Sequence, residues 1–408
     1  VNELSIKAAA AEAGDRPAII THERVWTFGE CARLAKTPGP TLEATTEIAT
    51  ILRIYGALEA ERPVALLHSK LPFAEQKRQR TEVEATTLPP GSAFVLFTSG
   101  STGPARGVVL SRNAIIAAAL ASEARLGWQP DDAWLLALPL AHSGGLAIVV
   151  RGLIARKPIV LVQRDSDLAL MLKRATLASF VPAQLATLVE QSAAPPPKLR
   201  AVLLGGAAAS PALLDKARAW PVLRTYGLTE TFGQIATARE PGGPLALLPG
   251  VEVICAETIE IRAPQLATQY LDGTPIAPRF VTADLGELVK APDGDLLTVH
   301  GRRDDVIVTG GEKVQPSDVE AVLTATPGVT AACVFGVPNE KWGSSVAAAI
   351  VTGPGFVRAK ALARWHAKLA PHARPRALVE VAKLPLLPSG KPDRRAIAAL
   401  ATTAVDYA

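Results

Sequence analysis

The 408-residue chain has three cysteines, Cys31, Cys255 and Cys333, and they are scattered. That spacing excludes a disulfide framework and a zinc site, and it suits a reducing, cytoplasmic compartment. No run is long and apolar enough to span a bilayer, because the Ala-rich stretches are small-sided and broken by charges. The N-terminus shows no basic segment followed by an apolar core, the pattern of a secretory signal. Aromatic residues make up 5% and do not interleave with any dense basic run, so no nucleic-acid surface is expected. No internal repeat is found. What is present, 49% hydrophobic and 20% charged residues, is the composition of a globular protein long enough for more than one domain.

Charge is unevenly placed. From Arg302 onward there are 14 Lys and Arg against 9 Asp and Glu, while the preceding residues balance at 29 of each. A small basic cap closing over polyanions would carry this distribution. Before it, apolar strands near 134–138, 158–162, 178–181 and 201–204 alternate with helical stretches near 113–125, 167–175, 183–191 and 211–219. The alternation predicts an α/β layered domain with mostly parallel sheets. A β-rich zone follows, with strands at 251–254, 258–261 and 296–299. The pattern resets at Gly301-Arg302-Arg303-Asp304-Asp305, which divides the chain into a large domain, 1–301, and a small α+β domain, 302–408. In the latter, strands are expected at 305–309, 331–336 and 345–352, and Ser317 and Glu320 have capping-box spacing at a helix start.

The most informative stretch is Thr98-Ser99-Gly100-Ser101-Thr102-Gly103-Pro104-Ala105-Arg106-Gly107, between apolar Phe94–Phe97 and Val108–Leu110. It reads as strand, tight loop, strand. Its glycines let the backbone approach a ligand, and its hydroxyls, N–H groups and Arg106 can cradle phosphate oxygens. It is not a Walker loop, which needs Gly-Lys-Ser/Thr opening a helix.

The loop resembles the signature of the adenylate-forming superfamily of acyl- and aryl-CoA ligases, peptide-synthetase adenylation domains and luciferases. Ala105 and Arg106 stand where that pattern has Pro and Lys, which keeps the charge and changes the donor geometry. The resemblance continues in order. Leu138-Pro139-Leu140-Ala141-His142-Ser143-Gly144 is similar to the family's loop beside the acyl pocket, where His142 would orient a carboxylate or gate the site; alone, it would read as a structural histidine. Gly205-Gly206-Ala207 would border adenine and substrate, although a plain strand–helix turn fits the same residues.

Thr225-Tyr226-Gly227-Leu228-Thr229-Glu230 is similar to the family's Tyr-Gly-x-Thr-Glu. It implies Tyr226 on adenine, Thr229 on a phosphate and Glu230 as the Mg²⁺ ligand. Thr282-Ala283-Asp284 resembles Thr-Gly-Asp, whose Asp bonds the ribose, with Arg302 reaching ribose or phosphate and Asp304 as hinge. Gly310-Gly311-Glu312 resembles the hairpin that lines the pantetheine tunnel of CoA ligases, and Pro388-Ser389-Gly390-Lys391 the motif carrying the catalytic Lys.

The resemblance thus implies ATP, Mg²⁺ and coenzyme A, an acyl-adenylate intermediate, a mobile small domain and a carboxylic-acid substrate; a homodimer is a separate expectation, which the sequence does not fix. His142-Ser-Gly, Arg151, Val181-Pro-Ala-Gln184-Leu185 and Leu203-Leu-Gly-Gly206 are similar to o-succinylbenzoate–CoA ligases of menaquinone biosynthesis. Arg151 would meet a second carboxylate of the acid, or else be a surface arginine at a helix end. The region before the loop is short against the family's pattern. Two other readings stay open, another aryl- or medium-chain acyl-CoA ligase and a non-catalytic nucleotide-binding relative.

Overall fold

The computed structural model describes residues 3–98, 105–192, 194–387, 392–400 and, as backbone, 405–406. Ser99, Gly100, Ser101, Thr102, Gly103 and Lys391 lie outside the described residues. Strands Pro17–Ile20, Ile159–Leu161, Trp134–Leu136, Leu177–Phe180, Ala201–Leu204 and Val222–Leu228 are successive parallel neighbours in an 11-stranded sheet. Most are buried along their whole length, as parallel strands covered by helices on both faces must be. Beyond Val222–Leu228 the sheet turns antiparallel, through Gly233–Ala238, Leu245–Leu247, Leu296–Arg302 and Asp284–Val289. These strands, with a separate three-stranded sheet of Glu252–Cys255, Ile259–Arg262 and Phe280–Val281, make up the β-rich zone.

A second, five-stranded sheet runs in the order Gln269–Tyr270, Gly107–Ser111, Ser92–Phe97, Val64–His68, Thr41–Ala44. One apolar core joins the two sheets: Phe94, Leu96 and Val108 from the smaller, Leu136, Ile159 and Leu203 from the larger, and Leu146–Val150 of helix Ser143–Ala155 between them. Because that helix is buried nearly all round, its start beside His142 has a fixed place at the junction of the sheets.

From Ile307 on, a separate core gathers Val319, Leu323, Val334, Val346, Ile350 and Trp365 under a sheet of Val329–Asn339, Gly343–Thr352, Ala377–Glu380 and Val405–Asp406. This is the small α+β C-terminal domain. The expected capping box is not formed there. Pro316 occupies the first helical position of Pro316–Thr324, so Gln315 becomes the N-cap and Ser317 falls inside the first turn. Ser317 Oγ instead donates to the His300 carbonyl at 2.9 Å, and Glu320 Oε1 accepts from Val334 N at 2.8 Å and from Arg394 Nη1 at 2.7 Å.

Candidate active site

Ser92–Phe97 and Gly107–Ser111 form the antiparallel hairpin expected around the hydroxyl-rich loop. Its base is closed twice: Thr98 N donates to Arg106 O at 2.9 Å, and Arg106 N donates to Thr98 Oγ1 at 3.1 Å. Gly107 has no room for a side chain, since a Cβ would stand 2.8 Å from Leu271 Cβ. The Arg106 guanidinium lies 3.5 Å over the Tyr270 ring and pairs with Asp272 at 2.9 Å. Hydrogen bonds from Thr274, with Arg106 beside them, hold the Asp272 carboxyl down at about 2. Tyr270 in turn donates from its hydroxyl to Glu230 Oε1 at 3.1 Å, and burial followed by the Glu230 charge pushes its phenol up to about 12.

Thr229 and Glu230 sit in a single 3-10 turn, Thr229–Thr231, at the end of strand Val222–Leu228. Two features force that turn. Gly227 has no room for a Cβ, which would meet Gly233 O at 1.7 Å. Buried Phe232 takes a left-handed φ of 47°, a conformation costing a bulky residue about 1–3 kcal/mol. Among the described residues no group of three or more His, Cys, Asp or Glu could hold a metal ion by itself. One exposed-side carboxylate, Glu230, fits an ion such as Mg²⁺ that arrives with phosphates and water completing its shell.

Tyr226, Asp284, Arg302 and Asp304 form a chain of contacts. Tyr226 Oη donates to Asp284 Oδ2 at 2.5 Å, Arg302 Nη1 to Asp284 Oδ1 at 3.5 Å, and Arg302 Nη2 to Asp304 Oδ2 at 3.4 Å. Burial, and then the Asp284 charge, drive the Tyr226 phenol well above its ordinary range. Asp284 is itself buried, with its N–H on Thr282 Oγ1 at 3.0 Å. The ribose, adenine and hinge candidates, drawn from three separate motifs, therefore meet at one place.

On the acyl side, His142 is the residue before helix Ser143–Ala155, and its ring lies 5.2 Å from that of His68, at the end of strand Val64–His68. In the first turn of that helix Gly145 has no room for a side chain, since a Cβ would stand 2.4 Å from Pro139 O, while one at Gly144 would meet the flexible end of Leu138, Cδ1, at 3.0 Å. Gly205 faces Thr225 with 2.8 Å for a Cβ, and Gly206 takes φ +80° before Ala207. The Gln184 amide is engaged with backbone, accepting from Val181 N at 3.3 Å and donating to Ala137 O at 3.0 Å. It frames the Leu138–His142 loop.

Arg151 is not a surface arginine. It is 5% exposed, 5.1 Å over Trp134, and borders a small cavity with Ser122, Glu123 and Trp128. No carboxylate among the described residues pairs with it, its Nε has no hydrogen-bond partner there, and burial pushes the guanidinium down to about 9.

In the C-terminal domain, Ile307–Thr309 and Glu312–Val314 pair through the two-residue turn Gly310-Gly311, with φ of 59° and 87°. Both positive angles are what this turn requires. Gly310 N donates to Trp342 O at 2.9 Å and lies against the indole, while nothing is near Gly311. Trp342 is flanked by Lys341 at 4.8 Å and Arg376 at 5.4 Å. The flanks of the Lys391 segment are pinned: Leu386 bridges to Pro392, and Asp393 N donates to Pro385 O at 2.9 Å.

The match to known family models decides what this cluster belongs to. The AMP-binding enzyme model matches residues 40–262, and the AMP-binding enzyme C-terminal domain model matches residues 318–391. The chain belongs to the AMP-binding enzyme family. Within that family it is 34% identical over 326 residues to the 2-succinylbenzoate–CoA ligase of Listeria monocytogenes, covering 74% of this chain and 69% of that protein. It is 38% identical over 330 residues to the probable 2-succinylbenzoate–CoA ligase of Mycobacterium tuberculosis, covering 75% and 83%. Its structure resembles that of o-succinylbenzoate CoA synthetase from Bacillus subtilis in complex with the acyl-adenylate intermediate OSB-AMP. The TM-score is 0.85 and the identity 25%, with 97% of each chain covered. No helix among the described residues is long and apolar enough to cross a membrane.

The sequence reading missed Tyr270, Asp272, His68 and Trp342. The Asp272-Gly273 pair signals a turn. Nothing local ties that turn to Arg106, 166 residues away.

Proposed function

We propose that this protein is an ATP-dependent acid–CoA ligase that forms an acyl-adenylate and then a CoA thioester, with o-succinylbenzoate as its acid. The observation that carries the reading is the meeting of Tyr226, Asp284 and Arg302 in one contact chain, in a member of the AMP-binding enzyme family whose relatives bear that ligase name. In the first step the acid's carboxylate attacks the α-phosphorus of ATP and pyrophosphate leaves. Asp284 and Arg302 hold the ribose, Tyr226 the adenine, and the Thr98–Arg106 loop with Thr229 the phosphates. Mg²⁺, when bound at Glu230, neutralises phosphate charge. Lys391 is assigned to the same charge cluster. Two anions must be brought together, so neutralisation and alignment supply most of the rate, and no protein nucleophile is needed.

In the second step the CoA thiol attacks the acyl carbonyl and AMP leaves. We place the domain boundary at 301/302, with Asp304 as the hinge about which the small domain turns, withdrawing Lys391 and bringing in Gly311. CoA as acceptor is supported by the open Gly311 turn and by exposed Trp342 between two cations, a surface suited to an anionic nucleotide. Arg151 supports a dicarboxylic acid, because a second carboxylate would neutralise a buried cation that pairs with no carboxylate among the described residues. His142, Ser143, Gly144 and Gly205 line the acyl side. A cytoplasmic location is supported by the three free cysteines. A homodimer completes the proposal, to be checked by sedimentation.

ATP–pyrophosphate exchange with a panel of acids tests the reading, with o-succinylbenzoate first. Exchange with that acid and AMP release on adding CoA are expected. Exchange with other aryl or medium-chain acids only would move the substrate. ATP binding without exchange for any acid would mark a non-catalytic relative.

A further inference from the structure

Tyr270 and Asp272 belong to none of the sequence motifs, yet Tyr270 touches both Arg106 and the carboxylate of Glu230, and Asp272 pairs with Arg106. Their segment is held rigidly. Gln269–Tyr270 pairs antiparallel with Val108–Val109, which begin two residues after Arg106, and Leu271 N donates to Gly107 O at 2.7 Å. The chain then reverses through Gly273, at φ +86°, with Tyr270 N on Thr274 O at 2.8 Å and Asp272 Oδ1 accepting from Thr274 N at 2.9 Å. Upstream, Ala267 N donates to the Glu230 carbonyl at 2.8 Å. One short segment therefore fixes the backbone of Glu230, its side chain, and the side chain of Arg106.

We infer that Tyr270 is a positioning residue for the metal-binding carboxylate. Its hydroxyl fixes the rotation of Glu230 through Oε1, and its ring, with Asp272, docks Arg106, so that the guanidinium and the carboxylate are set relative to one another before nucleotide arrives. The inference rests on the proposed ATP chemistry of this site. In water a free glutamate samples several rotamers, and fixing it beforehand removes that entropy from the binding step. Arg106 suits the arrangement better than lysine would, because a planar guanidinium can stack on a ring and pair with a carboxylate at once. Arg78 Nη2 also donates to Ala105 O at 3.0 Å, which ties down the backbone just before Arg106.

The test is ATP affinity measured by calorimetry without acid, in saturating Mg²⁺ and in EDTA, on the full chain. Tyr270→Phe keeps the ring and removes the hydroxyl. It should weaken MgATP binding about three- to tenfold, the range for the net worth of one ordinary hydrogen bond. Affinity in EDTA and the melting temperature should stay near wild type. In a Glu230→Gln background the same substitution should have no further effect. Asp272→Asn, on an exposed turn, should lower MgATP affinity about twofold in the same direction by loosening the stack, and it serves should Tyr270→Phe fail to fold. An unchanged ratio of the Mg²⁺ and EDTA affinities in Tyr270→Phe, an unchanged MgATP affinity in Asp272→Asn, or an equal loss from Tyr270→Phe with and without the Glu230 carboxylate overturns the inference. Failure of the wild-type chain to bind MgATP at all would instead overturn the functional reading beneath it.

Discussion

Arg151 carries the clearest conflict between stability and use. A guanidinium buried over Trp134 with no carboxylate partner among the described residues is costly to fold around. Arg151→Met should therefore raise the melting temperature of the free protein by a few degrees, on the order of 1 kcal/mol. The same change should lower kcat/KM for o-succinylbenzoate by about tenfold or more while sparing monocarboxylic acids. A fall in melting temperature would mean that the charge is compensated in the free protein. Lys391 tests the division of labour between the two half-reactions. Lys391→Ala should abolish ATP–pyrophosphate exchange yet leave thioesterification of a pre-made adenylate largely intact, measured by thioester release. Equal loss of both would remove its assignment to the first step.

At the level of elements, the Gly310-Gly311 turn separates two demands that look alike in sequence. Gly310 has a left-handed backbone and an indole pressed against it, so a Cβ would lie 2.7 Å from Trp342 Cε3. Gly310→Val should destabilise the C-terminal domain by about 2 kcal/mol or more in urea unfolding. Gly311→Asn, left-handed but open, should fold normally and slow only the thioester step, because asparagine tolerates this conformation and its side chain occupies space left for the acceptor. The strand–loop–strand around the hydroxyl-rich loop and the α/β alternation were legible because they are written in local apolar periodicity and in glycine placement. The capping box was not, because Pro316 sets the helix start two residues earlier and frees Ser317 for His300. The Tyr226–Asp284–Arg302 chain was half legible. Each motif named its residue, but only the fold puts the Tyr226 hydroxyl on the Asp284 carboxylate. Tyr270 left no mark at all, since its meaning depends on strand pairing between distant segments.

Across the whole molecule, the surplus of positive charge resides from Arg302 onward, where Lys341 and Arg376 flank Trp342. Raising ionic strength from about 0.05 to about 0.5 M should therefore raise the KM for CoA several-fold. The maximal rate of adenylation should change less, and coupled kinetics at fixed ATP would show the difference. Past the proposed hinge, two side chains of helix Pro316–Thr324 and its N-cap, Ser317 and Gln315, reach across to a single backbone oxygen, the His300 carbonyl, at 2.9 and 3.5 Å. Under the proposed rotation about Asp304, a latch this slight would oppose the turn only weakly, so that the occupancy of pyrophosphate or thiol would tip the balance between the two chemistries without a spring of the protein's own.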